Sequence, residues 1–103
     1  MTKANRLISE DVQFAIKIID NILKEYTPKI YIFGSRANNT CRLHSDIDIA
    51  VSSIRSIPDA KLSEVREYLE QSNIIYTVDL LDLAKIDTAF KEKIIQQGIL
   101  WND

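Results

Sequence analysis

From Ser9 onward, apolar positions recur at spacings of three and four. Val12, Ala15, Ile19, Ile22 and Tyr26 therefore share one face of a helix. Ser9 suits the cap, and Glu10 and Asp11 suit the positive end of such a helix. Pro28 cannot continue it. Residues 29–33 are short, β-branched and aromatic, and predict a buried strand that ends at Gly34. Residues 35–44 are polar and predict a turn or short helix, then a loop. The pattern then alternates through residues 45–53, with Ile47, Ile49 and Val51 on one face and Asp46, Asp48, Ala50 and Ser52 on the other. Pro58 and Asp59 open a second helix whose buried face carries Leu62, Val65 and Leu69, with Asn73 near its end. Residues 74–81 predict a third strand, with Ile74, Tyr76, Val78 and Leu80 on one face and Thr77 and Asp79 on the other. A last helix starts with Asp87 as cap, runs through Phe90, Ile94 and Ile95, and stops at Gly98.

The predicted order is helix, strand, loop, strand, helix, strand, helix. That order predicts an α+β (α/β-like) domain. Its sheet is small and mixed, with at least three strands and helices packed on one face. A length of 103 residues holds one domain, spanning 1–103. So small a domain buries a modest core, and a partner surface, in a heteromer or homo-oligomer, would add to its stability.

Composition narrows the classes of function. Apolar residues make up 46% and charged residues 27%, the balance of a globular chain and not of a disordered one. The formal net charge is -2, and no cluster of five Lys/Arg residues occurs. A protein that grips a nucleic-acid backbone through many phosphate contacts is disfavoured. A mononucleotide is not, because it brings its own counter-ions. No run approaches the roughly 18 apolar residues of a membrane helix, which argues against a membrane partner. The one cysteine, Cys41, leaves no internal disulfide, which points to a reducing cytoplasm.

Three carboxylates are the candidate chemistry. Asp46 and Asp48 stand two apart on a predicted strand, so they project from one face with Cα atoms roughly 6.5–7 Å apart. Their oxygens suit Mg²⁺ or Mn²⁺ rather than zinc. An isolated Asp-x-Asp is more often two surface residues, so the pair needs support. Asp79 supplies it if the second and third strands are neighbours. Three such carboxylates repel one another unless a cation is present. Asp79 then suits a base that takes the proton of an attacking hydroxyl. Asp82 falls on the opposite face, and a loop or capping role is preferred for it. Gly34-Ser35, directly after a buried strand, offers a close backbone and free donors to phosphate oxygens; alone it is more often just a turn, and its weight comes from the ten residues that lead to Asp46-x-Asp48. Arg36 either contacts a triphosphate or pairs with an acid. His44 and Arg42 share the loop with Cys41, for which a passive thiol is preferred. Trp101 is the aromatic residue best placed for a partner contact.

Three stretches together carry a resemblance: Phe33-Gly34-Ser35-Arg36-Ala37, Ser45-Asp46-Ile47-Asp48-Ile49-Ala50-Val51, and Val78-Asp79-Leu80-Leu81-Asp82-Leu83. They resemble the minimal nucleotidyltransferases of the polymerase-β-like superfamily. The likeness runs from about Val12 to Trp101 and includes the ending at residues 94–101. The loop Asn38-Asn39-Thr40-Cys41-Arg42-Leu43-His44 departs from many members, though the spacer keeps its length. The resemblance implies the nucleotidyltransferase fold, with Gly34, Ser35 and Arg36 binding ATP or another NTP. It implies that Asp46, Asp48 and Asp79 bind the metal and form the catalytic triad. An acceptor hydroxyl would attack the α-phosphate and pyrophosphate would leave. It also implies a helical HEPN-domain partner, with this chain as antitoxin transferring AMP to a tyrosine of the toxin. The alternative is an antitoxin that neutralises its partner by covering it, with little or no catalysis.

Overall fold

A computed structural model describes residues 10–34, 46–74 and 76–101 of the chain. The first helix, α1, spans Glu10–Ile22 and buries Val12, Ala15, Ile16 and Ile19. It ends at Ile22, short of Pro28. A 3-10 turn over Lys24–Tyr26 follows, and Thr27 caps it in the left-handed region at φ 43°. Tyr26 is buried as the sequence predicts, but from this turn and not from α1. The proposed cap Ser9 lies outside the described residues.

Strand β1 is Lys29–Phe33 and β2 is Ile47–Ser52. Helix α2 spans Asp59–Gln71, with Pro58 at its cap position and Leu62, Val65 and Leu69 buried. It ends at Ser72, whose hydroxyl donates to the Leu69 carbonyl at 2.6 Å. Strand β3 is Val78–Asp82, which is shorter at its start than predicted. Ile74 and Tyr76 still pack on the core, from outside the strand. Helix α3 spans Thr88–Gln97, and the Asp87 side chain accepts from the Phe90 N–H as predicted for its cap. Two residues, Ile99–Leu100, form β4.

The four strands run in the order β3-β2-β1-β4. β1 is antiparallel to both β2 and β4, whereas β2 and β3 are parallel. Parallel neighbours need a crossover, and α2 lies between them in the chain. The sheet is therefore mixed, as expected. The expectation that the helices share one face is corrected for the last of them. Ile30, Ile32, Ile47, Ile49, Val51 and Leu80 pack with the buried residues of α1 and α2. Strand alternation sends Tyr31 and Ala50 to the other face, where they pack with Leu83 and with Ile94 of α3. The apolar pattern within α3 marked a buried stripe but carried no information on which face of the sheet receives it.

Gly98 makes the return from α3 to β4 possible. Its N–H donates to the Ile94 carbonyl at 2.7 Å. A Cβ there would stand 3.1 Å from the Ile32 carbonyl oxygen of β1. Trp101 continues the edge by donating its N–H to Ile30 at 2.8 Å, and its side chain packs against the main core. At the other edge, Arg66 of α2 donates to the Leu80 carbonyl of β3 at 3.0 Å.

Candidate active site

Strand register brings the carboxylates together. Asp48 of β2 stands opposite Asp79 of β3 on the parallel side and opposite Phe33 of β1 on the antiparallel side. The end of β1 and the starts of β2 and β3 thus meet at one end of the sheet. Adjacent strands lie about 4.8 Å apart, which puts two acidic side chains of one face against each other. Alternation places Asp48 and Asp79 on the α3 face, because Ile47, Ile49 and Leu80 fill the other.

Gly34 follows Phe33 with φ 72°, a region that side chains rarely adopt. A Cβ at this position would collide with the Asp48 carboxylate oxygen and lie 3.2 Å from its Cγ. The glycine leaves room for the Asp48 carboxylate to sit directly beneath the turn.

The electrostatics agree with the geometry. Asp48 is half-buried, and loss of water is the largest reason that its carboxyl is raised above the ordinary value of 3.8. The negative charges of Asp79 and then Asp46 push in the same direction, as does a hydrogen bond with the Asp79 side chain. Asp46 and Asp79 are both exposed. A half-buried carboxyl beside two other acidic side chains marks a place short of positive charge. Its all-oxygen donor set fits a hard divalent cation. Among the described residues, no three His, Cys, Asp or Glu side chains already stand as a complete ligand set. Asp48 and Asp79 stand opposite each other in register, and Asp46 adds its charge.

Asp82 is 5% exposed and its carboxylate accepts from the Ala84 N–H at 2.9 Å. It caps the 3-10 turn over Leu83–Lys85, in keeping with the role preferred for it. Ser35, Arg36, Cys41, Arg42 and His44 lie outside the described residues.

Two hollows lie near this end of the sheet, one toward α2 and one toward α3. One, of about 470 Å³, follows the β3 edge and includes Arg66, Glu70, Thr77 and Asp79 in its wall. The other, of about 250 Å³, lies between Phe33–Gly34 and the Phe90, Lys93, Ile94 and Gln97 face of α3. The Phe33 and Phe90 rings meet edge to face there, with centroids 6.1 Å apart. Sequence reasoning did not single out Lys93 or Gln97. Their spacing of three and seven from Phe90 is the signal that would have grouped them on one helical face.

Comparison with known proteins identifies the family. The family model described as "Polymerase beta, Nucleotidyltransferase" matches residues 17–101. The chain is 29% identical over 84 residues to a probable protein adenylyltransferase MntA of Haemophilus influenzae, covering 82% of this chain and 72% of the relative. It is 35% identical over 85 residues to the protein adenylyltransferase MntA of Shewanella oneidensis, covering 80% of this chain and 60% of the relative. It thus spans less than two thirds of that second relative. A crystal structure of the tri-AMPylated Shewanella oneidensis HEPN toxin in complex with its MNT antitoxin is similar, with TM-score 0.61 and 28% identity. That match covers 89% of this chain and 73% of the other. Among the described residues, no helix is long and apolar enough to cross a membrane.

Proposed function

The chain belongs to the polymerase beta nucleotidyltransferase family, and from that premise we propose that it transfers AMP from ATP to a hydroxyl of a HEPN-type toxin and so acts as its antitoxin. The observation that carries this reading is the register that sets Asp48 opposite Asp79 on two parallel strands, with Gly34 packed against the Asp48 carboxylate. The relatives named adenylyltransferase and the AMPylated HEPN complex support the choice of AMP and of partner. A single cysteine suits the cytoplasm, where such a partner and ATP meet.

Each residue then has a task. Gly34, Ser35 and Arg36 hold the β- and γ-phosphates, through backbone donors and a guanidinium. Asp46, Asp48 and Asp79 would hold a divalent cation, with Mg²⁺ preferred and Mn²⁺ as substitute. When bound, that cation neutralises charge on the triphosphate and on the carboxylates. Asp79 is exposed, so an acceptor hydroxyl reaches it from solvent. It takes the hydroxyl proton as the acceptor oxygen bonds to the α-phosphorus. The bond from that phosphorus to the bridging oxygen breaks, and pyrophosphate leaves. Positioning and charge neutralisation supply most of the rate, as in phosphoryl transfer generally.

The test is transfer of label. With α-labelled ATP, Mg²⁺ and a HEPN-type partner in complex, the native chain is expected to label the partner, and Asp48→Ala to lose the label. An unlabelled partner in an assembled native complex would overturn the assignment. Full toxin neutralisation by the Asp46→Ala, Asp48→Ala double variant would instead assign protection to binding alone.

A further inference from the structure

We propose that the cavity under α3 receives the nucleoside of the donor nucleotide, with its base against Phe33 and Phe90 and Gln97 at its polar edge. This rests on the nucleotidyltransferase reading and adds to it the residues that recognise the donor. The cavity and the carboxylates are neighbours, since Gly34 lines the one and lies against Asp48 of the other. At about 250 Å³ it is below the roughly 300–1,000 Å³ of a complete small-molecule site. It therefore takes one part of a nucleoside triphosphate whose α-phosphate sits at the carboxylates.

Chemistry decides which part. The polyphosphate is densely charged and needs N–H donors, whereas Phe33, Phe90 and Ile94 give the cavity an apolar wall. Lys93 and Gln97 alone would not replace the water stripped from three phosphates there. A flat, weakly polar ring suits it. Phe90 is 39% exposed, so its ring is open to such a ligand, while Ile94 is buried behind it. Gln97 presents an amide, which both donates and accepts, the combination that the edge of a purine asks for. Lys93 stands beside it and, among the described residues, makes neither of the two ion pairs, Lys61–Glu64 and Lys85–Asp59. Its ammonium is free to meet the ribose or the α-phosphate.

Calorimetric binding of α,β-methylene ATP with Mg²⁺ tests this, set beside binding of inorganic tripolyphosphate. Phe90→Ala is expected to weaken the analogue roughly 5- to 150-fold, the range for a lost base–aromatic contact. Tripolyphosphate, which has no base, is expected to bind Phe90→Ala as it binds the native chain. Gln97→Ala is expected to change the ratio of ATP to GTP affinity by about 2- to 10-fold. Ile95→Ala, on the same helix but outside the cavity, controls for damage to α3. Unchanged analogue binding in Phe90→Ala would overturn the proposal. So would an equal loss of tripolyphosphate, which would make the cavity a phosphate site. A raised KM for the acceptor with unchanged nucleotide binding would assign the cavity to the acceptor and overturn it too. If the native chain labels its partner while any of these holds, only the cavity assignment falls. If the native chain binds no nucleotide, the underlying reading falls with it.

Discussion

Gly34 and Asp48 are coupled at the level of single atoms. The carboxylate occupies the space that any side chain at 34 would need, and the left-handed φ there leaves glycine as the fitting residue. Asp48 is also the residue whose charge the fold resists. Because its carboxyl is raised in the folded chain, the fold holds that proton more tightly than the unfolded chain does. The stability gained in this way is complete below about pH 3.8 and is lost as pH climbs through the raised value. Without metal, Asp48 therefore lowers stability as pH rises toward neutrality. Asp59 works in the opposite sense. Its hydrogen bond with Lys85, and the charge of that lysine, lower its carboxyl. The difference between native protein and Asp48→Asn isolates the first effect. Asn at 48 has no charge to repel, so the metal-free variant is expected to melt at a higher temperature than the native chain at pH 7. The gap should narrow as pH falls below 3.8. Thermal melts at both pH values in chelator check this; a native chain as stable as the variant at neutral pH would contradict it.

At the scale of elements, α3 links stability to the site, because it forms one wall of the cavity beside Gly34. Its first turn depends on Asp87, whose carboxylate accepts from the Phe90 N–H at 3.3 Å. Asp87→Ala is expected to cost about 1 kcal/mol of stability in urea unfolding, the usual loss for an N-cap. A cost below a few tenths would show the cap to be idle. Asp87 was legible in the sequence because a capping residue and a following glycine bracket the helix. Apolar periodicity was equally informative for α1, β2 and α2, and β-branched and aromatic composition for β1. It failed where elements are too short to show a period or draw their order from elsewhere. Ile99–Leu100 form a strand only because β1 offers an edge beside Tyr31 and Ile32. Ile74 and Tyr76 have the alternation of a strand, yet pairing with β2 begins at Val78. The candidate site divides in the same way. Alternation put Asp79 on the correct face and set Asp82 aside. The register that sets Asp79 against Asp48, and the contact that makes Gly34 necessary, arise from strands that pair across the chain. The two walls of the α3 cavity are likewise distant in sequence, and no local pattern joins Phe33 to Phe90.

For the whole molecule, the same crowding of charge links ligand to fold. The sheet gathers Asp46, Asp48 and Asp79 at one end, and nothing among the described residues' two ion pairs neutralises them. Folding without a ligand thus holds together charges that the unfolded chain lets drift apart. A cation and nucleotide that bind only the folded state add stability by mass action and relieve this repulsion as well. At a hundredfold excess over Kd the binding term alone is about 2.7 kcal/mol. With roughly 4–8 °C per kcal/mol for a domain of 60–100 residues, Mg²⁺ with ATP is expected to raise Tm by about 10–20 °C. Mg²⁺ alone should give a smaller rise, and Asp48→Asn should lose part of both, since it begins with less repulsion to relieve. Scanning fluorimetry across an ATP series at fixed Mg²⁺ measures this directly. A Tm that does not move at saturating ligand would mean that the three carboxylates do not work as one site, however close the strands bring them.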